Sequence, residues 1–134
     1  LWAIRERVLS GVPFIGWSAG SNVACPTIRT TNDMPVVEPS RLEAMRLVSF
    51  QINPHYTDAV IPNHGGETRA QRIAEFTKAN PGVVVVGLRE GSALRVIHGV
   101  VTLLGPHPAM MFRDDSEPAE LLPGPISLHR EVAS

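Results

Sequence analysis

Apolar positions along this chain recur first at helical spacing, then in short unbroken runs, and each change marks a new element. Leu1–Leu9 carries apolar residues at helical spacing and stops at Gly11, which predicts the tail of an amphipathic helix. Val12-Pro-Phe-Ile-Gly-Trp17 is an apolar run between turn residues, the pattern of a buried strand. Residues Ser21–Cys25 predict one or two helical turns, which Pro26 stops. Thr27–Val37 is polar and mixed, and Pro35 and Pro39 disfavour a long helix, so it reads as a loop. Ser40 is placed to cap a helix over Arg41–Arg46, with Glu43 three residues on completing a capping-box pattern. Leu47–Asn53 resumes strand character and delivers Pro54-His55 at its far end.

Beyond a second loop at Thr57–Gly66, Glu67–Lys78 predicts a helix with Ile73, Phe76 and Thr77 on one side. Asn80-Pro81-Gly82 ends it. Val83–Leu88 is β-branched and wholly apolar, so it predicts a strand buried on both faces. Ala93–His98 and Val100–Leu104 predict an antiparallel pair turning at His98-Gly99, and Met110–Arg113 one more strand. From Asp114 onward Pro, Glu and Ser accumulate and the apolar period vanishes. Residues 1–113 are therefore expected to be the ordered portion of an α/β fold, and 114–134 a loosely held tail.

Composition narrows the class of protein. A chain of 134 residues fits one domain, and 43% hydrophobic with 19% charged residues is ordinary for a soluble globular protein. A formal net charge of −1 gives no electrostatic reason to expect nucleic acid or an acidic membrane surface as partner. The single cysteine, Cys25, excludes an internal disulfide and suits a reducing compartment. Apolar runs are too short to span a bilayer, and no leader pattern opens the chain, so the expectation is cytoplasmic. The chain begins at Leu1, inside a predicted element and without methionine, which reads as a portion of something longer.

Candidate chemistry centres on Gly16-Trp17-Ser18-Ala19-Gly20, a Gly-x-Ser-x-Gly motif between a predicted strand and a predicted helix. A sharp turn there strains the serine backbone, and the glycines remove the Cβ atoms that would clash. The hydroxyl of Ser18 then projects as a nucleophile, and the Ala19 N–H at the helix start faces a developing oxyanion. The competing reading is a structural turn with a buried serine. A serine nucleophile needs a base, and His55, just past a strand end, is the best placed of the five histidines. His64 falls in a loop, His98 and His107 in turns, and His129 in the tail. No histidine pair has metal-ligand spacing, so a metal site is not expected. Two acids compete to orient the imidazole. Glu90 follows the best-defined strand and is favoured, while Asp33 lies closer to Ser18 in sequence.

Taken together these residues resemble the peptidase E family of α-aspartyl dipeptidases. The resemblance runs through Gly16–Pro35, Gln51-Ile-Asn-Pro-His-Tyr-Thr57, Gly66-Glu-Thr-Arg-Ala-Gln-Arg-Ile73 and Gly87-Leu-Arg-Glu-Gly91. It implies a cytoplasmic serine exopeptidase that cleaves after an N-terminal aspartate, without metal or organic cofactor. The family nucleophile falls on Ser18 and its histidine on His55, while its third member matches either Asp33 or Glu90. The implied fold is a three-layer α/β/α sandwich related to class I glutamine amidotransferases, of which this chain is a C-terminal portion with an added antiparallel pair. Arg69 matches a family position and suits the substrate carboxylate, since a guanidinium holds it with two hydrogen bonds. Arg29 and Arg89 are weaker alternatives.

The family also has a long N-terminal region, with a Gly-rich turn expected to give a second oxyanion donor, that this sequence lacks. The resemblance therefore implies that the N-terminal half is required in cis or in trans, and leaves a homodimer open. Two rival readings remain. One is a cyanophycinase-like peptidase on aspartyl-linked polymer; the other is a non-catalytic portion that acts by pairing with a partner chain.

Overall fold

A computed structural model describes residues 1–32, 36–60 and 66–128. In chain order it holds α1 (Trp2–Leu9), α2 (Ala19–Ala24), β1 (Gln51–Pro54), α3 (Arg69–Ala79), β2 (Val85–Leu88), β3 (Ala93–Ile97), β4 (Val100–Leu104), β5 (Ala109–Arg113), β6 (Ser116–Leu121) and β7 (Gly124–Ile126). The fold is mixed α/β. Four strands form one sheet in the order β1-β2-β5-β6, and three form a second in the order β3-β4-β7. Among the described residues only β1 and β2 pair in parallel, in a register that sets Pro54 beside Leu88.

Alternation along β2 explains the core. Val85 joins Tyr56, Ile73 and Phe112 on the face covered by α3, whereas Val86 joins Cys25, Phe50, Ile52 and Leu103 on the other. Both valines are fully buried, so the wholly apolar strand lies between two packed layers as its composition predicts. Helix α3 supplies its layer through Ile73, Phe76 and Thr77, the predicted side. Burying a side chain such as Ile73 contributes about 1.5–3 kcal/mol. Its start is fixed by Thr68, whose hydroxyl accepts from the Gln71 N–H while the Gln71 side chain accepts from the Thr68 N–H.

Strand β1 stands at the sheet edge, and side chains occupy carbonyls along it. Asn22 and Thr30 both donate to the Ile52 carbonyl at 2.8 Å, and Asn32 donates to that of Pro54 at 2.7 Å. These bonds tie α2 and the loop after it to the edge, and Pro54 has no N–H to leave exposed.

Three expectations are corrected. Residues Val12–Trp17 form no strand; Ile15 and Trp17 are 84% and 79% exposed, and no described strand pairs with them. Without a neighbouring ladder an apolar run has no reason to extend. Residues 41–46 form no helix either. Glu43 bridges Thr27, and the Ala44 and Met45 N–H groups donate to the carbonyls of Pro26 and Val23. Burial of Ala44 and Met45 in that extended path overrides the capping-box pattern. Finally, the segment after Asp114 is not a loose tail through its length, because β6 pairs with β5 and β7 with β4. The helix α1 is present, but it has no buried residue. Among the described residues, no helix is long and apolar enough to cross a membrane.

Candidate active site

Ser18 caps α2 with φ 51° and ψ −123°, a left-handed conformation that non-glycine residues adopt only under constraint. The constraint is local. The Gly20 and Ser21 N–H groups donate to Trp17 and Ser18 carbonyls, and the Ser21 hydroxyl donates to the Gly16 carbonyl at 3.2 Å. Gly16 must be glycine, since a Cβ there would stand 2.6 Å from the Gly20 carbonyl oxygen. The sharp turn expected of the motif is therefore formed, although the strand expected before it is not. Ala19 opens the helix, so its N–H has no intrahelical carbonyl to meet.

His55 follows β1 and also has a positive φ of 55°. Parallel register brings the ends of β1 and β2 together, so Glu90, two residues past β2, reaches the His55 ring. The Nδ1 atom of His55 is hydrogen-bonded to the Glu90 carboxylate. The two side chains are 48% and 78% exposed, so they meet at the surface. Ser18, His55 and Glu90 line one cleft of about 1060 Å³, with Trp17, Pro54 and Leu88 among its walls. A hydroxyl, an imidazole and a carboxylate bonded to that imidazole are the parts of a nucleophile, base and orienting acid.

The other expected residues fall differently. Asp33, His64 and His129 lie outside the described residues. Arg69, the first residue of α3, donates from its guanidinium to the His55 backbone carbonyl. It also lines a separate cavity of about 140 Å³ with Arg29, Arg72 and Asn53. Thus Arg69 touches the backbone of the histidine without lining the cleft that holds the ring. His98 lines the cleft from the β3–β4 turn, where it and Gly99 both take positive φ. Cys25 is buried, and burial pushes its thiol up to about 12, which keeps it protonated and out of any nucleophilic role. Among the described residues, no group of three or more His, Cys, Asp or Glu is arranged to hold a metal.

Sequence reasoning missed one group next to the site. Asp58 joins Tyr56 and Arg89, the residues that flank His55 and Glu90 on their inner sides. An ion pair between positions 31 apart leaves no local pattern to read.

The model of peptidase family S51 matches residues 1–104, and the chain belongs to that family. Its similar relatives are named Peptidase E. That of Nostoc sp. strain PCC 7120 is 53% identical over 120 residues, covering 90% of this chain and 50% of the relative. That of Shewanella amazonensis is 51% identical over 124 residues, covering 92% of this chain and 53% of the relative. A third, from Shewanella sp. strain MR-4, is 55% identical over 109 residues, covering 81% and 46%. The chain spans about half the length of the curated relatives it matches.

Proposed function

We propose that this chain carries the catalytic groups of a serine exopeptidase that hydrolyses dipeptides with an N-terminal aspartate. The observation that carries the reading is the His55–Glu90 hydrogen bond at the rim of a cleft that Ser18 also lines. Glu90 on Nδ1 fixes the tautomer that leaves Nε2 as the proton acceptor. Ser18 attacks the carbonyl that follows the aspartyl residue, and His55 takes the hydroxyl proton and returns it to the leaving amine. The acyl-enzyme is then cleaved by water, with His55 as base again. Ala19 N–H serves the oxyanion, helped by the positive end of α2.

Glu90, which is hydrogen-bonded to His55, is the acid preferred here, and Asp33 the alternative. Arg69, already at the His55 carbonyl, is proposed to hold the aspartyl carboxylate with its remaining N–H groups. The relatives' extra length supports a second oxyanion donor and the rest of a three-layer α/β/α sheet from the N-terminal half, in cis or in trans. Losing one such donor costs about 10²–10³ in turnover. The substrate is a small peptide, in a cytoplasmic setting, with no metal or organic cofactor.

The test is Asp-Leu hydrolysis by Ser18→Ala, which is expected to abolish turnover without altering the fold. Retained activity would remove Ser18 from the mechanism. Glu90→Gln and Asp33→Asn separate the two acids, because loss of the true partner lowers kcat far more than it raises KM.

A further inference from the structure

The His55–Glu90 contact raises a physical question that its own chemistry does not answer. Both side chains are exposed, and an exposed ion pair contributes little to holding a fixed geometry. The His55 backbone is also left-handed, a conformation that a non-glycine residue keeps only when its surroundings impose it. Something else must hold the pair in place. The residues immediately beside it are the opposite in character: Tyr56 is 3% exposed, and the Arg89 side chain only 18%.

These neighbours are tied to each other. Tyr56 donates from its backbone to the Leu88 carbonyl at 3.0 Å. Its ring lies so close to Gly87 that a Cβ there would stand 2.7 Å from Tyr56 Cδ2, and its edge meets Phe112 with centroids 5.7 Å apart. Its hydroxyl donates to Asp58 Oδ1 at 3.0 Å, while Arg89 Nη2 donates to Asp58 Oδ2 at 2.7 Å. The Arg89 guanidinium stands over the Tyr56 ring at 5.4 Å, donates to the Pro108 carbonyl at 2.6 Å and lies 3.6 Å from Glu120. Asp58 thus joins the residue after His55 to the residue before Glu90.

We infer that Tyr56, Asp58 and Arg89 form a clamp that positions the His55 ring against the Glu90 carboxylate. The clamp closes a loop around the ends of two parallel strands. Its bonds run Tyr56 to Asp58 to Arg89 on the inner side, and His55 to Glu90 on the outer side. The Tyr56 ring cannot turn without breaking its packing on Gly87 and Phe112, nor the Arg89 guanidinium without breaking its bonds to Asp58 and Pro108. His55 and Glu90, each the adjoining residue along the chain, inherit that rigidity. The three residues are positioning groups rather than catalytic ones, and their catalytic importance rests on the peptidase reading above.

Proton–nitrogen correlation NMR of histidine-labelled protein tests the clamp without any activity assay. At alkaline pH, where imidazole is neutral, the wild type should show His55 as the Nδ1–H tautomer, held by Glu90. Glu90→Ala should relax it to the Nε2–H form that free imidazole prefers. Tyr56→Phe keeps the ring and removes only the hydroxyl, and Asp58→Asn keeps the shape and removes only the charge. Each should move the His55 signals toward the Glu90→Ala pattern, and adding Tyr56→Phe to Glu90→Ala should change nothing further. For Asp-Leu hydrolysis, Tyr56→Phe should lower kcat about tenfold with KM within about twofold, the signature of misplaced rather than lost chemistry. Folded variants that keep the wild-type tautomer overturn the clamp, as does a wild type already in the Nε2–H form. A tautomer shift in the variants, together with a wild type that cannot hydrolyse Asp-Leu even when joined to the N-terminal half, leaves the clamp standing and sinks the peptidase reading.

Discussion

The two glycines of Gly16-Trp-Ser-Ala-Gly20 are identical in the motif and opposite in the structure, which makes them a sharp test of the elbow. Gly16 is pinned by close approach. An added Cβ would sit 2.6 Å from the Gly20 oxygen and 2.9 Å from Phe14 Cε1, where ordinary contact begins at 3.4 Å. The nearest atom is backbone, held by the turn that positions Ser18, so it must retreat by about 0.8 Å and take the elbow with it. Overpacking of that kind costs about 2–3 kcal/mol. Gly20 lies within α2, and a Cβ there meets nothing within 4 Å. Alanine at that position removes the entropy penalty of glycine in a helix, a gain of up to about 1 kcal/mol. With an unfolding entropy of about 2.1 cal/mol/K per residue, each kcal/mol shifts Tm by roughly 4 °C in a chain of this length. Calorimetric melts should therefore place Gly16→Ala roughly 8–12 °C below wild type, and Gly20→Ala level with it or up to about 4 °C above. Equal losses in the two variants, or no loss in Gly16→Ala, would refute the close-approach argument and with it the elbow geometry.

Two further outcomes concern the layers that carry the site. Thr68→Ala removes the hydroxyl that accepts from the Gln71 N–H at 3.2 Å, and should cost about 1 kcal/mol, or roughly 4 °C in Tm. Thr68→Ser should restore most of it, and equal melts for all three would show that the cap contributes nothing. Cys25 is fully buried, with its thiol held above its ordinary range by burial and bonded to the Ser21 carbonyl at 3.3 Å. Ellman's reagent at pH 8 should therefore leave the native thiol unmodified and titrate one thiol only as denaturant unfolds the protein. Reaction of the native protein at the rate of a free thiol would place Cys25 outside the core.

What could be read from the sequence divides along a physical line between local and non-local causes. That Ser18, His55 and Glu90 would share one cleft was legible because each position is announced by its own neighbourhood: a glycine-flanked turn, a strand end followed by Pro54-His55, and a wholly apolar strand followed by Glu90. Strand β2 needed only its composition, since Val85 and Val86 face opposite layers and neither face is wet. The misreadings occur where a distant partner decides. Residues 41–46 have a helical start signal worth about 1 kcal/mol, set against burial of Met45 and a chain of backbone bonds to residues 23–26. The packed, extended path wins because burial outweighs a cap. Strand β6 shows no apolar period because nearly all of it is exposed. Its order comes from backbone pairing with β5, and Pro118 is tolerated because β6 stands at the sheet edge. The same reasoning explains why the clamp escaped notice while the pair it supports did not. His55 and Glu90 are placed by strand ends, a local property repeated in two segments, but Asp58 lies in a loop whose sequence, Thr57-Asp58-Ala59-Val60, names no partner for it. Its meaning appears only when parallel pairing of β1 with β2 carries Arg89 to Tyr56. Candidate site residues can thus be legible one segment at a time, whereas the groups that hold them in place become visible only once the strands are paired.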